Sequence, residues 1–188
     1  EKIIDDKIDF EINVSESEKF YIEKININGN FNTLEEVIRN NLIVDEGGGT
    51  SETALISMGG VVALEAVRVG SFDLDVAIQN FIKKEFGVAI GERTAEEIKL
   101  TIGSASAYEG ELRAEVRGRH IASGLPEVVV VSPSEIREAI EEPVSTMVDS
   151  VTSCLSKAPP EMAQDIIVQG ISLVGGGSLL KGFDKRLS

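Results

Sequence analysis

The residues of this chain best suited to chemistry stand in the run LIVDEGGGTSETALI, from Leu42 to Ile56. A short apolar stretch reaches a carboxylate at Asp45, then three consecutive glycines, Gly47, Gly48 and Gly49, then Thr50 and a second strand-like run from Thr53 to Met58. Without Cβ atoms, glycines can take positive φ and let the backbone close on a ligand. Their N–H groups can then converge on an anion. Thr50 adds a hydroxyl, and Asp45 can organise water or Mg2+ beside phosphates, because magnesium usually keeps several waters. The plainer reading is a glycine-rich β-hairpin with no ligand. Spacing alone does not choose between the two.

A second turn of the same kind follows the apolar run Ile171 to Val174: Gly175, Gly176 and Gly177, then Ser178 and the helical pattern LLKGFDKRL. A strand that runs through glycines into a helix start offers free N–H groups and a helix dipole to an anion or a polar ligand edge. Taken singly, this turn reads better as a tight strand-to-helix connection. Two such turns, one near each end of an α/β segment, are what a nucleotide cleft would use.

Other chemistry is sparse. The single cysteine, Cys154, lies in the helix-like setting VTSCLSK and reads as packing. The single histidine, His120, has no cysteine or second histidine for a zinc site and reads as an exposed or strand-end residue. No Ser/His/Asp set assembles. A formal net charge of −14 and a pI near 4.5 argue against nucleic acid or an anionic membrane surface as the main partner. A nucleotide stays compatible, since backbone N–H groups and local cations bind phosphates inside acidic proteins. No apolar stretch approaches the roughly 18–20 residues of a membrane span, so no membrane insertion is expected. The opening EKIIDDKIDF is not a signal peptide, and a cytoplasmic location is expected on that ground.

At 188 residues the chain can hold one ordinary domain or two small ones. Alternation in KIDFEINV and KFYIEKINING predicts two half-buried strands, followed by a helix over LEEVIRNNL. Three short strands are expected at Leu42 to Asp45, Thr53 to Met58 and Val61 to Val69, with a tight turn at Met58 to Gly60. Ser71 and Asp73 start a helix that Gly87 stops, and a second helix, capped near Arg93 or Thr94, ends at Gly103. Strands over Glu111 to Val131 are expected to break at Gly118 and at Gly124 to Pro126. Ser132 to Glu135 is a capping box with proline at the first helical position. The helix it opens should kink near Pro143, continue to Lys157 and give way to another from Pro160 to Val168. Strands mixed with helices in this order imply α/β layers.

Several of these runs, in order, resemble the MreB family of bacterial actin homologues: VDEGGGTSETALISMGGVVALEAVRVGSFDLDVAI, IGERTAEEIKLTIGSA, GLPEVVVVSPSEIREAIEEPVSTMVDSV and APPEMAQDIIVQGISLVGGGSLLKGFDKRLS. The resemblance runs from about Leu42 to Ser188. It implies the second lobe of the actin/Hsp70-like nucleotide-binding fold, residues 42–188 with a small subdomain at approximately 88–135. It also implies ATP and Mg2+, filaments beneath the inner membrane, a role in cell shape, and a shape-factor partner such as RodZ. By the same resemblance, Gly47, Gly48, Gly49 and Thr50 are the second phosphate loop, and Asp45 is the carboxylate that acts on the metal through water. Glu96 and Lys99, with Glu97 and Arg93 beside them, form the nucleoside-binding helix. Gly175, Gly176, Gly177, Ser178 and Leu179 form the turn that packs against adenosine. From the residues alone, Glu96 and Lys99 read instead as an exposed i,i+3 ion pair worth a few tenths of a kcal/mol. Where Glu46 stands the family has an apolar residue. The family's first phosphate loop and water-positioning carboxylate are not found, so no catalytic residue is assigned, nucleotide binding is expected to be weak or absent, and ATPase activity weaker still.

The first 46 residues resemble something unrelated, the POTRA repeats of the BamA family of outer-membrane assembly factors, through YIEKININGNFNTLEEVIRNNL. That resemblance implies a partial β-β-α segment over residues 1–45, a chimeric chain, and polypeptide binding by β-augmentation in the periplasm. A non-catalytic remnant that keeps only interaction surfaces is the third expectation.

Overall fold

The computed structural model describes residues 42–57, 60–109, 112–160, 162, 166 and 170–187, with the Asp45 side chain left out. The expected strands and helix of the first 41 residues, and the turn at residues 58–59, lie outside the described residues.

Three strands form a meander: β1 (Leu42–Glu46), β2 (Ser51–Ser57) and β3 (Gly60–Val67). Helix α1 (Ser71–Phe86) follows, then a two-residue strand β4 (Val88–Ala89) and helix α2 (Glu92–Ile102). Strands β5 (Ala114–His120) and β6 (Pro126–Val131) lead to helices α3 (Pro133–Ala139) and α4 (Glu141–Ser156). Helical residues at Pro160, Met162 and Ile166 precede strand β7 (Ile171–Val174), a 3-10 turn (Gly177–Leu179) and the short helix α5 (Phe183–Leu187). One sheet has the order β3-β2-β1-β7 and the other β4-β5-β6. Only the β1–β7 pairing is parallel among the described strands. These two sheets with helices packed on them make the α/β fold that the alternation of patterns predicted.

Period-two strand geometry decides what is buried near the first turn. Leu42, Val44 and Glu46 share one face of β1, and all three are fully buried. Opposite Glu46 in the antiparallel register stands Ser51, whose hydroxyl reaches the Glu46 carboxyl and also the Val69 carbonyl at 2.6 Å. A carboxyl at a position whose strand neighbours are apolar thus finds a polar partner directly across the ladder.

Two apolar clusters hold the molecule. The first joins Leu74, Ile78 and Ile82 of α1 to Ile98 and Ile102 of α2, Val116 and Val129 of the small sheet, and Ile136, Val144 and Met147. The second joins Leu42, Val44 and Leu55 of the large sheet to Val151 and Cys154. Helix α4 therefore serves both: its first half packs in one cluster and its second half in the other. Each fully buried aliphatic side chain is worth about 1.5–3 kcal/mol before entropy is charged.

Four local expectations need correction. Gly118 is no turn: it sits in mid-strand, paired with Glu127, and a Cβ there would lie 2.3 Å from Val88 Cγ1. Its role is the close approach of β4. The break between α3 and α4 falls at Ile140, not at Pro143, which occupies the first turn of α4 where a missing N–H costs nothing. Helix α2 is capped at Gly91, earlier than Arg93 or Thr94. The pattern LLKGFDKRL does not start a helix at the glycines, because a 3-10 turn and Gly182, at φ +73°, intervene before Phe183.

Candidate functional site

The first glycine turn is a four-residue link between β1 and β2, closed by the Gly47 N–H donating to the Thr50 carbonyl at 3.0 Å. It rests on the start of α1. Ser71 and Phe72 donate their backbone N–H groups to the carbonyls of Gly47 and Gly48 at 3.0 and 2.8 Å, so two helix N-terminal donors are met by the turn itself. A Cβ at Gly70 would press on those same carbonyls at 2.7–2.8 Å. With the Gly47 and Gly48 carbonyls turned to α1, the turn's remaining N–H groups, of Gly48, Gly49 and Thr50, donate to no backbone acceptor among the described residues. Gly49 and Thr50 are exposed. Positive φ is not what this turn uses: none of its glycines has it, and the requirement is space at Gly47, where a Cβ would lie 2.9 Å from the Thr50 carbonyl. Asp45 pairs with Glu52 on one side and Val174 on the other; its side chain lies outside the described residues.

The second turn does use positive φ, at Gly175 (φ +83°). Ser178 Oγ donates back to the Gly175 carbonyl at 2.7 Å, so that hydroxyl closes the turn. Gly177 lies against the end of β1: a Cβ there would meet Glu46 Cβ at 2.9 Å and the Glu46 carbonyl oxygen at 3.0 Å. The parallel β1–β7 ladder is what brings the two turns together, because each leaves the same end of a neighbouring strand.

Beside them opens a cleft of about 300 Å3, lined by Glu96, Lys99, Gly176, Gly177 and Leu179 among others. Five of the residues singled out in the sequence, drawn from segments some 80 residues apart, meet here. The volume is at the lower edge of the roughly 300–1,000 Å3 usual for small-molecule sites. Leu100 and Leu179, 68% and 83% exposed, stand on its walls as apolar surface left open to water. Sequence reasoning did not find Ser71, Leu74, Leu100, Gly103, Leu180 or Lys181, which also line it. Of these, Ser71 and Gly103 carried signals, as the start of α1 and the end of α2, and a Cβ at Gly103 would lie 2.4 Å from the Lys99 carbonyl oxygen.

Lys99 departs most from expectation. It is buried, and its ammonium donates to Ser71 Oγ at 2.7 Å, to Asp75 Oδ2 at 2.8 Å and to the Ser71 carbonyl at 3.1 Å. The expected exposed pair with Glu96 is not formed. Arg93 and Glu97 pair with each other instead, at 3.3 Å on the surface. Burial pushes the Asp75 carboxyl above its ordinary value, the Lys99 hydrogen bond and charge pull the other way, and the Glu96 and Glu92 carboxylates add to the rise. Its Oδ1 is buried without a hydrogen bond among the described residues.

The other candidates settle as structural. Cys154 is buried with its thiol 3.5 Å from the Thr53 carbonyl, and burial pushes that thiol up. His120 ends β5 and is bonded to Ser123 at 3.1 Å. Among the described residues no cluster of three His, Cys, Asp or Glu side chains could cage a metal, and no helix is long and apolar enough to cross a membrane. A larger groove, about 910 Å3, runs between α1 and α3–α4 under an acidic rim, but none of the candidate residues faces it.

The cleft offers apolar walls, a carboxylate at Glu96 and glycine backbone. Gly47, Gly48, Gly49, Thr50, Gly175 and Ser178 are not among its lining residues; the first turn meets it through Ser71, which lines the cleft and donates its N–H to the Gly47 carbonyl. N–H groups left without a backbone acceptor, as in that turn, are of the kind that receive anions.

Comparison with known proteins gives the same direction. The family described as MreB/Mbl protein matches residues 32–188, beginning ten residues before Leu42. The cell shape-determining protein MreB of Escherichia coli strain K12 is 44% identical over 146 residues, covering 78% of this chain and 42% of its own length. The cell shape-determining protein Mbl of Bacillus subtilis strain 168 is 39% identical over 148 residues, covering 79% and 44%. The chain thus spans less than half the length of these relatives. The crystal structure of MreB5 of Spiroplasma citri bound to ADP superposes with a TM-score of 0.77 at 38% identity, over 81% of this chain and 46% of that one. A MamK double helical filament, at 21% identity and a TM-score of 0.64 over 79% and 45%, shares the fold. These matches lend no support to a POTRA-like first segment or to a chimera, and the family match begins inside the stretch that suggested them.

Proposed function

Because the chain belongs to the MreB/Mbl family over residues 32–188, we propose that it is the nucleotide-binding portion of an MreB-type cell-shape protein, taking ATP or ADP with Mg2+ in the cleft between the second glycine turn and α2, with the phosphates reaching out of it to the first turn. The observation that carries this reading is the convergence of Glu96, Lys99, Gly176, Gly177 and Leu179 on one cleft. The relative from Spiroplasma citri bound to ADP, and the same protein bound to AMPPNP, support it.

In this reading Leu100 and Leu179 flank the base, Glu96 accepts from sugar hydroxyls, and the N–H groups of Gly48, Gly49 and Thr50 hold phosphate oxygens. Asp45 would hold Mg2+ through water. The metal, when bound, neutralises phosphate charge. No bond-breaking step is assigned to any described residue. The small subdomain is taken as residues 88–135, built on β4-β5-β6 and α2. Self-association into filaments, a cell-shape partner such as RodZ and a cytoplasmic location belong to the same reading and rest on family membership. The periplasmic alternative has no observation behind it.

Calorimetric titration with ATP and Mg2+ tests the reading. We expect saturable, Mg2+-dependent binding, weak at Kd on the order of 100 μM to 1 mM, or about 4–5.5 kcal/mol. No saturation at roughly 10 mM nucleotide, about 2.7 kcal/mol on the same scale, would contradict it.

A further inference from the structure

An ammonium has three N–H bonds, and the geometry around Lys99 commits all of them. They go to Ser71 Oγ, the Ser71 carbonyl and Asp75 Oδ2, at 2.7, 3.1 and 2.8 Å, so each acceptor lies in the first two turns of α1. Lys99 is 8% exposed, and the Asp75 side chain at the other end of the pair 11%. As arranged, Lys99 has no proton to give a ligand. It offers the cleft its aliphatic stem, while its charge is spent inside the protein.

The bonds form a continuous link. The Gly47 carbonyl of the first turn accepts from Ser71 N–H at 3.0 Å; Ser71 accepts from Lys99; and Lys99 is held by Asp75. One turn before Lys99 on α2 stands Glu96, which lines the cleft together with Ser71 and Lys99. The same few bonds therefore fix the face of α2 that borders the cleft relative to the Gly47–Thr50 turn.

From this geometry we infer that Asp75, which does not itself line the cleft, is a positioning residue: by holding Lys99 on Ser71 it fixes the spacing between the nucleoside side and the phosphate side, so that the two halves of one nucleotide bind cooperatively. The inference rests on the nucleotide reading above. In its physical content it is a preorganisation argument, since a cleft already set to the right span saves ordering cost on binding. Removing Asp75 alone leaves a buried ammonium short of its counter-charge, whereas replacing both partners removes the charge and the link together.

The test uses the whole chain, as Asp75→Asn, as the double variant Asp75→Asn with Lys99→Met, and as Ser71→Ala, a milder cut in the same link. Titrations with adenosine, pyrophosphate and ADP, all with Mg2+, are run beside amide hydrogen exchange at Ser71 and Phe72. Both Asp75 variants are expected to lose at least tenfold in ADP affinity and less than about threefold for adenosine or pyrophosphate alone. The double variant should melt close to the parent yet remain weak for ADP. Exchange at Ser71 and Phe72 should quicken at least tenfold in Asp75→Asn and in Ser71→Ala while the amides of α4 hold. Folded variants that keep parental ADP affinity, or that lose all three ligands in equal measure, overturn the inference. If the parent binds no ADP, the nucleotide reading fails separately, and unchanged exchange at Ser71 and Phe72 would then still overturn the link.

Discussion

A Cβ added at Gly49 would meet no atom within 4 Å, whereas one at Gly47 would lie 2.9 Å from the Thr50 carbonyl. The turn needs the space at Gly47 and leaves room for a side chain at Gly49, which makes Gly49 a probe of the ligand. Gly49→Ala is expected to change stability by no more than about 0.5 kcal/mol in urea melts. It should also cost at least about 1.4 kcal/mol, tenfold, in ADP affinity by calorimetry. Gly47→Ala should instead destabilise the chain by about 1–3 kcal/mol, because the turn must shift to admit it. A second test at this scale lies in the Ser132 capping box. Ser132 donates its hydroxyl and its backbone N–H to Glu135 Oε2 at 2.6 and 2.7 Å, and those bonds hold the Glu135 carboxyl below its ordinary range. A lowered folded value means that this stabilisation is complete above the ordinary glutamate range and lost as pH falls through the lowered value. Thermal melts should accordingly show Glu135→Gln weaker than the parent at neutral pH and level with it in strong acid. Ser132→Ala should cost about 1 kcal/mol at neutral pH.

Among the elements, those whose signals are local are legible in the amino-acid order alone. The meander β1-β2-β3, helix α1 with its Gly87 stop at φ +67°, and the capped start of α3 all follow from alternation, caps and glycine placement. What escapes such reading is held by partners distant in sequence. Strand β4 is two residues long and exists because β5 pairs with it, matching Val88 with His120 and Ala89 with Arg119. Gly118 looks like a turn residue in isolation, yet it admits β4. Gly118→Ala should therefore push β4 off the sheet and lower stability by about 1–3 kcal/mol, with hydrogen exchange rising first at Val88 and Ala89. The site shows the same division. The two glycine turns are legible as turns, but the parallel β1–β7 ladder that seats them side by side is not. Nor is the partner of Lys99, which lies 24 residues earlier on α1.

At the scale of the molecule, helix α4 joins the two apolar clusters through Val144 and Met147 at one end and Val151 and Cys154 at the other. One helix shared by both cores couples them, so unfolding monitored at the large sheet and at the small sheet should give coincident curves in urea. A net charge of −14 sets a repulsive background. Raising salt from low to physiological ionic strength should therefore raise the melting temperature, while the buried Lys99–Asp75 pair is screened little. The central claim is that two glycine turns and α2 make one nucleotide site. At 20.2 kDa the chain suits amide-resolved NMR, and a titration with ADP and Mg2+ tests the claim directly. The account predicts that the amides of Gly48, Gly49 and Thr50 shift together with those of Gly176, Gly177 and Leu179, all on one binding isotherm. Shifts confined to one turn, shifts along two different isotherms, or none at saturating nucleotide would contradict it.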